Sequence, residues 1–390
     1  MNLYLNDLGL LCAVGNSRSE VLARLLAGDR SGLMATDEFG IRTIVGQVAS
    51  ELPEIEPYYS IYNCRNNRLL LAAISQIRAT VNEMIVRYGA DRIGVVLGTS
   101  TSGVRSTELA LAYQAKFGTL PEQFHYKQQQ MGAGADFLAN YLGLTGPAYT
   151  ISTACSSSGK AFASARRLIN LDLCDAVIVG GADSLCSLTI NGFAALESLS
   201  TGYCKPFGRH RNGINIGEAA SLFVLSKQPG PVQLLGIGAS SDAYHFSAPD
   251  PAGTAVIIAM QKALSDAGKQ PEEVDYLNLH GTATVLNDAM ESKAVNALFG
   301  NQVAASSSKG MTGHTLGAAA ALELGFCWML LAENEQGALI PNINDDERDT
   351  GLAPLHLVKK GESLGRSLQV CQSNSFAFGG NNLSIVIARA

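Results

Sequence analysis

The most constraining feature of this chain is an order of elements that occurs twice. A helical pattern over 69–88 runs through Gly89-Ala90-Asp91 into the apolar run Ile93-Gly94-Val95-Val96-Leu97, which ends at Gly98-Thr99-Ser100-Thr101. An unbroken apolar run of that length is the pattern of a strand buried on both faces. Much later, a helix over 255–267, a glycine-containing loop and a strand over 274–279 lead to Gly281-Thr282-Ala283-Thr284. The later parts rhyme too. A Ser/Thr-rich strand end reaches Cys155 and a small-residue helix over 158–169, while Ala304-Ala305-Ser306-Ser307-Ser308 precedes Lys309, His314 and a helix over 317–331. Helices alternating with doubly buried strands predict an α/β fold, and the repetition predicts two duplicated halves, 1–228 and 229–390. Gln228-Pro229-Gly230-Pro231 supplies turn chemistry for the break. Two unrelated α/β domains are the competing reading of these rhymes.

With 390 residues the chain can bury two large cores. Its residues are 47% hydrophobic and only 16% charged, which favours an oligomer, with a monomer around a large core as the alternative. A net charge of −6 argues against nucleic acid or an anionic membrane as the main partner. The eight cysteines include no C-x-x-C pair, so structural zinc and redox dithiols are disfavoured and no metal is expected. The opening stretch, with Asn2, Asn6 and Asp7, reads as a strand over 3–11 and a turn at Gly15-Asn16 rather than an export signal. A helix with apolar Val21, Leu22, Leu25 and Leu26 follows, and no apolar run is long enough to span a bilayer. The expectation is a cytoplasmic protein with reduced thiols.

Cys155 lies in Thr153-Ala154-Cys155-Ser156-Ser157-Ser158-Gly159. A free thiol has a pKa of about 8.5, and a helix N-terminus just after it would favour the thiolate. Ala161, Ala163 and Ala165 make that helix thin enough to lie inside a fold. The bland alternative is a small core cysteine. His280 ends a buried strand, where α/β folds place their chemistry. His314, between Gly313 and Thr315-Leu316-Gly317, opens a small-residue helix, where an imidazole stays neutral. Two neutral imidazoles facing one cysteine have a use: their N–H groups can stabilise the enolate formed when a malonyl thioester loses carbon dioxide. The resulting carbanion would attack an acyl group held on the cysteine. Lys309 would set the local field, and the turn Ser373–Gly380 would offer N–H groups that complete an oxyanion hole with that of Cys155.

On TACSSSG (153–159), GGADS (180–184), GFAALESLS (192–200), HGTATVLND (280–288), SSKGMTGHTLGAA (307–319) and NSFAFGGNN (374–382), the chain resembles the β-ketoacyl-[acyl-carrier-protein] synthases with a Cys-His-His site, end to end. The resemblance implies a thiolase-like fold with αβαβα layers and dimerisation through the first half. It makes Cys155 the acylated nucleophile, His280 and His314 the decarboxylation pair, and Lys309 and Glu323 their charged neighbours, with Asp288 in support. It places Thr282 and Thr284 on the phosphopantetheine arm and makes Phe378 the gating aromatic, with Phe376 beside it. No cofactor is implied, since substrates ride on the phosphopantetheine of an acyl carrier protein.

Several departures from the family pattern bear on substrate type. The segments 103–131 and 201–207 are short, 211–221 reads RNGINIGEAAS, and polar Thr101 stands where an apolar wall of the acyl pocket is usual. They point to a specialised type II pathway, such as an aryl polyene line, rather than housekeeping fatty-acid synthesis. An acidic carrier protein would dock on local basic groups, with Arg65, Arg68, Lys205, Arg209 and Arg211 as candidates. The partner subunit would be a second copy or a homologous chain length factor. Three rivals fit less well. A thiolase would need a cysteine in 374–382, an initiating synthase would show asparagine at His314, and a non-catalytic chain-length-limiting subunit would lack Cys155.

Overall fold

The computed structural model describes residues 2–344, 347 and 349–390; Met1, Asp345, Asp346 and Arg348 lie outside the described residues. The chain opens with β1 (Leu3–Cys12), α1 (Arg18–Leu26) and the short strands β2 (Leu33–Thr36) and β3 (Thr43–Gly46). Helices α2 (Arg65–Gln76) and α3 (Arg78–Tyr88) lead into β4 (Ile93–Gly98). Then come α4 (Val104–Phe117), α5 (Ala133–Leu142), β5 (Ala148–Ile151), α6 (Ser157–Asn170) and β6 (Ala176–Asp183). The first half closes with α7 (Ser187–Ala195), the two-residue β7 (Ile216–Gly217) and β8 (Ala219–Ser226). The second half runs β9 (Val232–Ser241), α8 (Thr254–Ala267), β10 (Tyr276–Asn278), α9 (Val285–Phe299) and β11 (Ala304–Ser306). It ends with α10 (Lys309–Thr312), α11 (Ala319–Ala332), β12 (His356–Leu357), β13 (Val370–Ala377) and β14 (Asn381–Arg389).

The duplication is written in the sheet. The first half orders its strands β1-β8-β6-β4-β5 and the second β9-β14-β13-β10-β11, with β12 added at the edge. In each, the first two pairings are antiparallel and the next two parallel. A short antiparallel pairing of β1 with β9, from Leu3 opposite Leu234 to Leu5 opposite Val232, joins the two into one eleven-stranded sheet. Helices α6 and α11, which follow β5 and β11, pack together between the two groups of strands. With α2 and α5 outside one group and α8 and α9 outside the other, the layers read αβαβα.

Side-chain size explains the central layer. From Ala319 to Leu331 every residue of α11 is buried, as a helix apolar on all faces but for one paired carboxylate, Glu323, must be. The two helices approach closely because α6 is small there: a Cβ on Gly159 would lie 2.1 Å from the Leu383 Cδ2 and 3.0 Å from the Ala320 Cβ. The Ala321 N–H donates to Ser158 Oγ at 2.9 Å, which fixes their register.

The continuous helix expected over 69–88 is in fact two, bent by 75° at Ile77 (φ −113°, ψ 15°). The fully buried Ile77 sits at the corner, and the bend keeps Ile74 and Val81 in the same core. No single helix among the described residues is long and apolar enough to cross a membrane. One face is left unpartnered. Helix α4 buries only Ala110, while Leu109, Leu111, Tyr113 and Phe117 stand exposed with nearby Leu120, Tyr126 and Met131. Strand β5 pairs on one side only, so its other edge is open.

Candidate active site

The duplication places Cys155 and His314 at equivalent points, Cys155 between β5 and α6, His314 between β11 and α11 just past the single turn α10. Both turns carry a left-handed residue: Ala154 (φ 52°) just before the cysteine and Leu316 (φ 53°) two after the histidine. Such positive φ in non-glycine residues is costly and is held by surrounding contacts. Around Cys155 the Ser157 side chain supplies them, accepting from Thr153 N–H at 2.8 Å and donating to the Ala154 carbonyl at 2.5 Å. Around His314 it is strand β7, inside the run 211–221. The His314 N–H donates to the Asn215 carbonyl at 2.7 Å, and Gly217 N–H donates to the His314 carbonyl at 2.9 Å. His280 follows β10, with its own N–H and that of Gly281 each 2.7 Å from a Glu291 carboxylate oxygen. Only glycine fits at 281, where φ is 38° and a Cβ would lie 2.4 Å from that of Ser307.

These turns converge. His314 Nε2 lies 2.9 Å from Cys155 Sγ, and the two imidazoles meet edge to face with centroids 5.4 Å apart. One ligand atom from each of Cys155, His280 and His314 lies within 4.8 Å of the others. Nδ1 of both rings is buried and finds no partner among the described residues. A buried orphan N–H is rarer than an unused lone pair, so the tautomer assigned from this network puts the proton on Nε2, facing the sulfur. Burial holds both imidazoles well below the usual histidine pKa, helped by the Lys309 charge and, at His280, by His314. Both are neutral donors. Burial also pushes the Cys155 thiol up to about 12, against Lys309 and the N–H groups of Phe378 and Cys155 itself. Burial thus opposes the stabilisation that the helix N-terminus and Lys309 offer the thiolate.

Lys309, 1% exposed, donates from Nζ to the His280 carbonyl and to Glu323 Oε1, each at 2.5 Å. Glu323, also buried, is pushed up to about 6 by burial against that lysine. Asp288 accepts from the Phe207 and Ala283 N–H groups, so it braces the Gly281–Thr284 turn. Above the triad opens a cavity of about 300 Å³. Thr282, Thr284, Phe376 and Phe378 line it with the three catalytic candidates, and Thr282 and Thr284 hydroxyls lie 3.0 Å apart. Sequence reading missed Phe193, whose ring meets that of Phe378 at a tilt of 38° with centroids 5.4 Å apart, and the apolar rim of Leu196, Val285 and Leu286. All four lie in the motifs 192–200 and 280–288, and that membership was the signal that could have found them. A Cys-His-His set of this spacing could hold a soft metal ion, at the cost of the free nucleophile.

Two groups of expected site residues lie elsewhere. Thr101 does not line this cavity; its hydroxyl and N–H both donate to buried Asp183 at 2.8 Å. The docking arginines are mostly committed inside the chain. Arg65 binds buried Glu218 at 2.5 and 2.8 Å, and Arg68 binds Glu54 and the Leu52 and Pro53 carbonyls. Arg211 is buried against Asp349 at 2.5 Å. Arg209 is exposed but lies 3.5 Å from Glu347, and Lys205 is half-buried. A guanidinium already holding a carboxylate has little left to offer an acidic partner.

Comparison with known proteins gives a consistent picture. Residues 67–229 match the family model "Beta-ketoacyl synthase, N-terminal domain" and residues 232–345 match "Beta-ketoacyl synthase, C-terminal domain". The chain is 31% identical to a 3-oxoacyl-[acyl-carrier-protein] synthase 2 of Coxiella burnetii, over 99% of this chain and 98% of that one. It is also 31% identical to Nodulation protein E of Rhizobium meliloti, over 97% and 96%. Among solved structures, it is 44% identical, with a TM-score of 0.94, to a chain of the ketosynthase (ApeO) in complex with its chain length factor (ApeC) from Xenorhabdus doucetiae, covering 100% of this chain and 98% of that one.

Proposed function

This chain belongs to the β-ketoacyl synthase family, and on that premise we propose that it is the elongating ketosynthase of a specialised type II assembly line. Acyl transfer comes first. The Cys155 sulfur attacks the carrier's thioester, the S–C bond to the carrier breaks, and the thiol proton ends on the carrier's sulfur. The N–H groups of Cys155 and Phe378 take the carbonyl oxygen as it gains charge. Malonyl-carrier protein then enters the same cavity, its arm along Thr282 and Thr284. Loss of carbon dioxide leaves an enolate whose oxygen receives the Nε2–H groups of His280 and His314. The carbanion attacks the acyl carbonyl, a carbon–carbon bond forms, and the S–C bond at Cys155 breaks, freeing the product and, after protonation, the thiol.

The observation that carries this reading is the triad itself: one sulfur and two neutral imidazoles, buried together at the foot of one cavity. Lys309 acts through the field that keeps both rings neutral, tethered by Glu323. Higher identity to the ketosynthase–chain length factor pair than to the fatty-acid relatives favours a polyene or polyketide-like pathway. The apolar face of α4 and the open edge of β5 are the surfaces such a partner would cover, since both are left exposed in the single chain. The test is intact-mass analysis after incubation with an acyl-carrier protein. One acyl adduct is expected, and it should vanish in Cys155→Ala; no adduct, or one that survives the substitution, refutes the assignment.

A further inference from the structure

Asp183, the last residue of β6, is fully buried and has no part in the chemistry above. Its Oδ1 accepts from the Thr99 hydroxyl at 2.5 Å and from the N–H groups of Ser100 and Thr101 and the Thr101 hydroxyl, each at 2.8 Å. Its Oδ2 accepts from Gly317 N–H at 2.5 Å and again from Ser100 N–H at 3.0 Å. A buried carboxylate held by neutral donors is expensive to keep, so what it holds in place matters.

It holds two turns. Gly317 lies three residues past His314 and directly after left-handed Leu316. A Cβ at 317 would come within 2.8 Å of Asp183 Oδ2 and 2.7 Å of Ser100 N, so the approach requires glycine. On the other side, Ser100 Oγ donates at 3.3 Å to the carbonyl of Ala154, the strained residue before Cys155. One carboxylate thus ties the His314 turn of the second half to the Cys155 turn of the first.

We propose that Asp183 is a positioning residue that sets the 2.9 Å separation of His314 Nε2 and Cys155 Sγ. This rests on the ketosynthase reading for its consequence in turnover, but not for its geometry. Asp183→Asn replaces one acceptor oxygen by an NH₂ facing N–H donors, so the two turns separate. The primary readout is alkylation of Cys155 by iodoacetamide across pH, which needs neither carrier protein nor condensation. With the His314 donor withdrawn, the thiolate loses stabilisation, so the profile moves to higher pH and the rate at fixed pH falls. Condensation per folded chain falls by about 10²-fold, a loss that a misplacement of about 1 Å can cause. A residue needed only for folding would lower the urea midpoint and leave the alkylation profile of the folded fraction unchanged, and that result overturns the proposal. Should Asp183→Asn fail to fold, Ser100→Ala decides. It keeps the carboxylate and its backbone donors, cuts the link to Ala154, and should move the profile in the same direction; a wild-type profile there overturns the proposal equally. Absence of condensation in the wild type would sink the ketosynthase reading while leaving the alkylation comparison intact.

Discussion

Replacing His280 by alanine separates the two half-reactions. Of the two rings it is His314 that reaches the sulfur, with Nε2 2.9 Å from Cys155 Sγ. The two rings stand edge to face at 5.4 Å, so one enolate oxygen can receive both Nε2–H groups. Removing one donor to a developing oxyanion in a water-poor site costs about 10²–10³ in rate, or roughly 3–4 kcal/mol. His280→Ala should therefore lose that factor in malonyl decarboxylation while acylation of Cys155 stays within about threefold of wild type. His314→Ala should lose a similar factor and also acylate more slowly, because its donor touches the nucleophile. Since both act on one oxygen, the double variant should fall well short of the product of the two single losses. The assay pairs released labelled carbon dioxide with single-turnover intact mass of the acyl-enzyme. Wild-type decarboxylation in His280→Ala would refute the reasoning, as would equal loss of acylation and decarboxylation.

Other outcomes follow from the same geometry. Lys309→Met strands the buried Glu323 carboxylate and should cost about 3–5 kcal/mol in urea unfolding; adding Glu323→Gln should recover part of it. Gly281→Ala forces a Cβ onto Ser307 at a left-handed φ, so it should cost about 1–3 kcal/mol and displace His280, slowing decarboxylation with Cys155 alkylation retained. Because burial and Lys309 hold both imidazoles well below the ordinary pKa of 6.5, any inflection of decarboxylation near pH 6 should trace to Glu323 and disappear in Glu323→Gln, not to either histidine. The sign for stability follows: the unfolded chain takes up protons at 6.5 while the folded chain refuses them, so stability is lost as pH falls below 6.5 toward the depressed values. Unfolding midpoints in wild type against the double histidine-to-alanine variant would expose that loss. Leu286→Asp at the apolar rim should raise KM for carrier-bound acyl groups about tenfold, as for a contact worth 1.4 kcal/mol, and leave KM for a small free thioester unchanged.

Much of this was legible in the sequence because the determining patterns were local. The apolar run Ile93–Leu97 and the rhyme of Gly98–Thr101 with Gly281–Thr284 marked two α/β halves. The glycines beside His280 and His314 marked turns too tight for side chains. What was not legible depended on partners distant in the chain. Nothing near Arg65 announces Glu218, and nothing near Arg211 announces Asp349, so both read as free basic groups until folding paired them. Thr101 matched a pocket position by alignment of motifs, yet Asp183, far along the chain, claims its hydroxyl. The bend at Ile77 was hidden for a related reason: a helical period survives a corner that tertiary packing imposes.

The pairing of halves also explains why the site forms where it does. Neither half contains a complete reaction centre. The first supplies Cys155 at the head of α6; the second supplies His280 after β10 and both Lys309 and His314 before α11. Duplication alone would bring equivalent turns together, but it would not fix their register. The small residues at the α6–α11 contact allow the approach. Ser158 on Ala321, Ser100 on Ala154 and Asp183 on Gly317 then convert approach into registration. The nucleophile's environment is therefore a property of the contact between halves. Substitutions at that contact, far from any substrate, should change the reactivity of Cys155 more than equally destabilising substitutions in the outer helices α2 or α8.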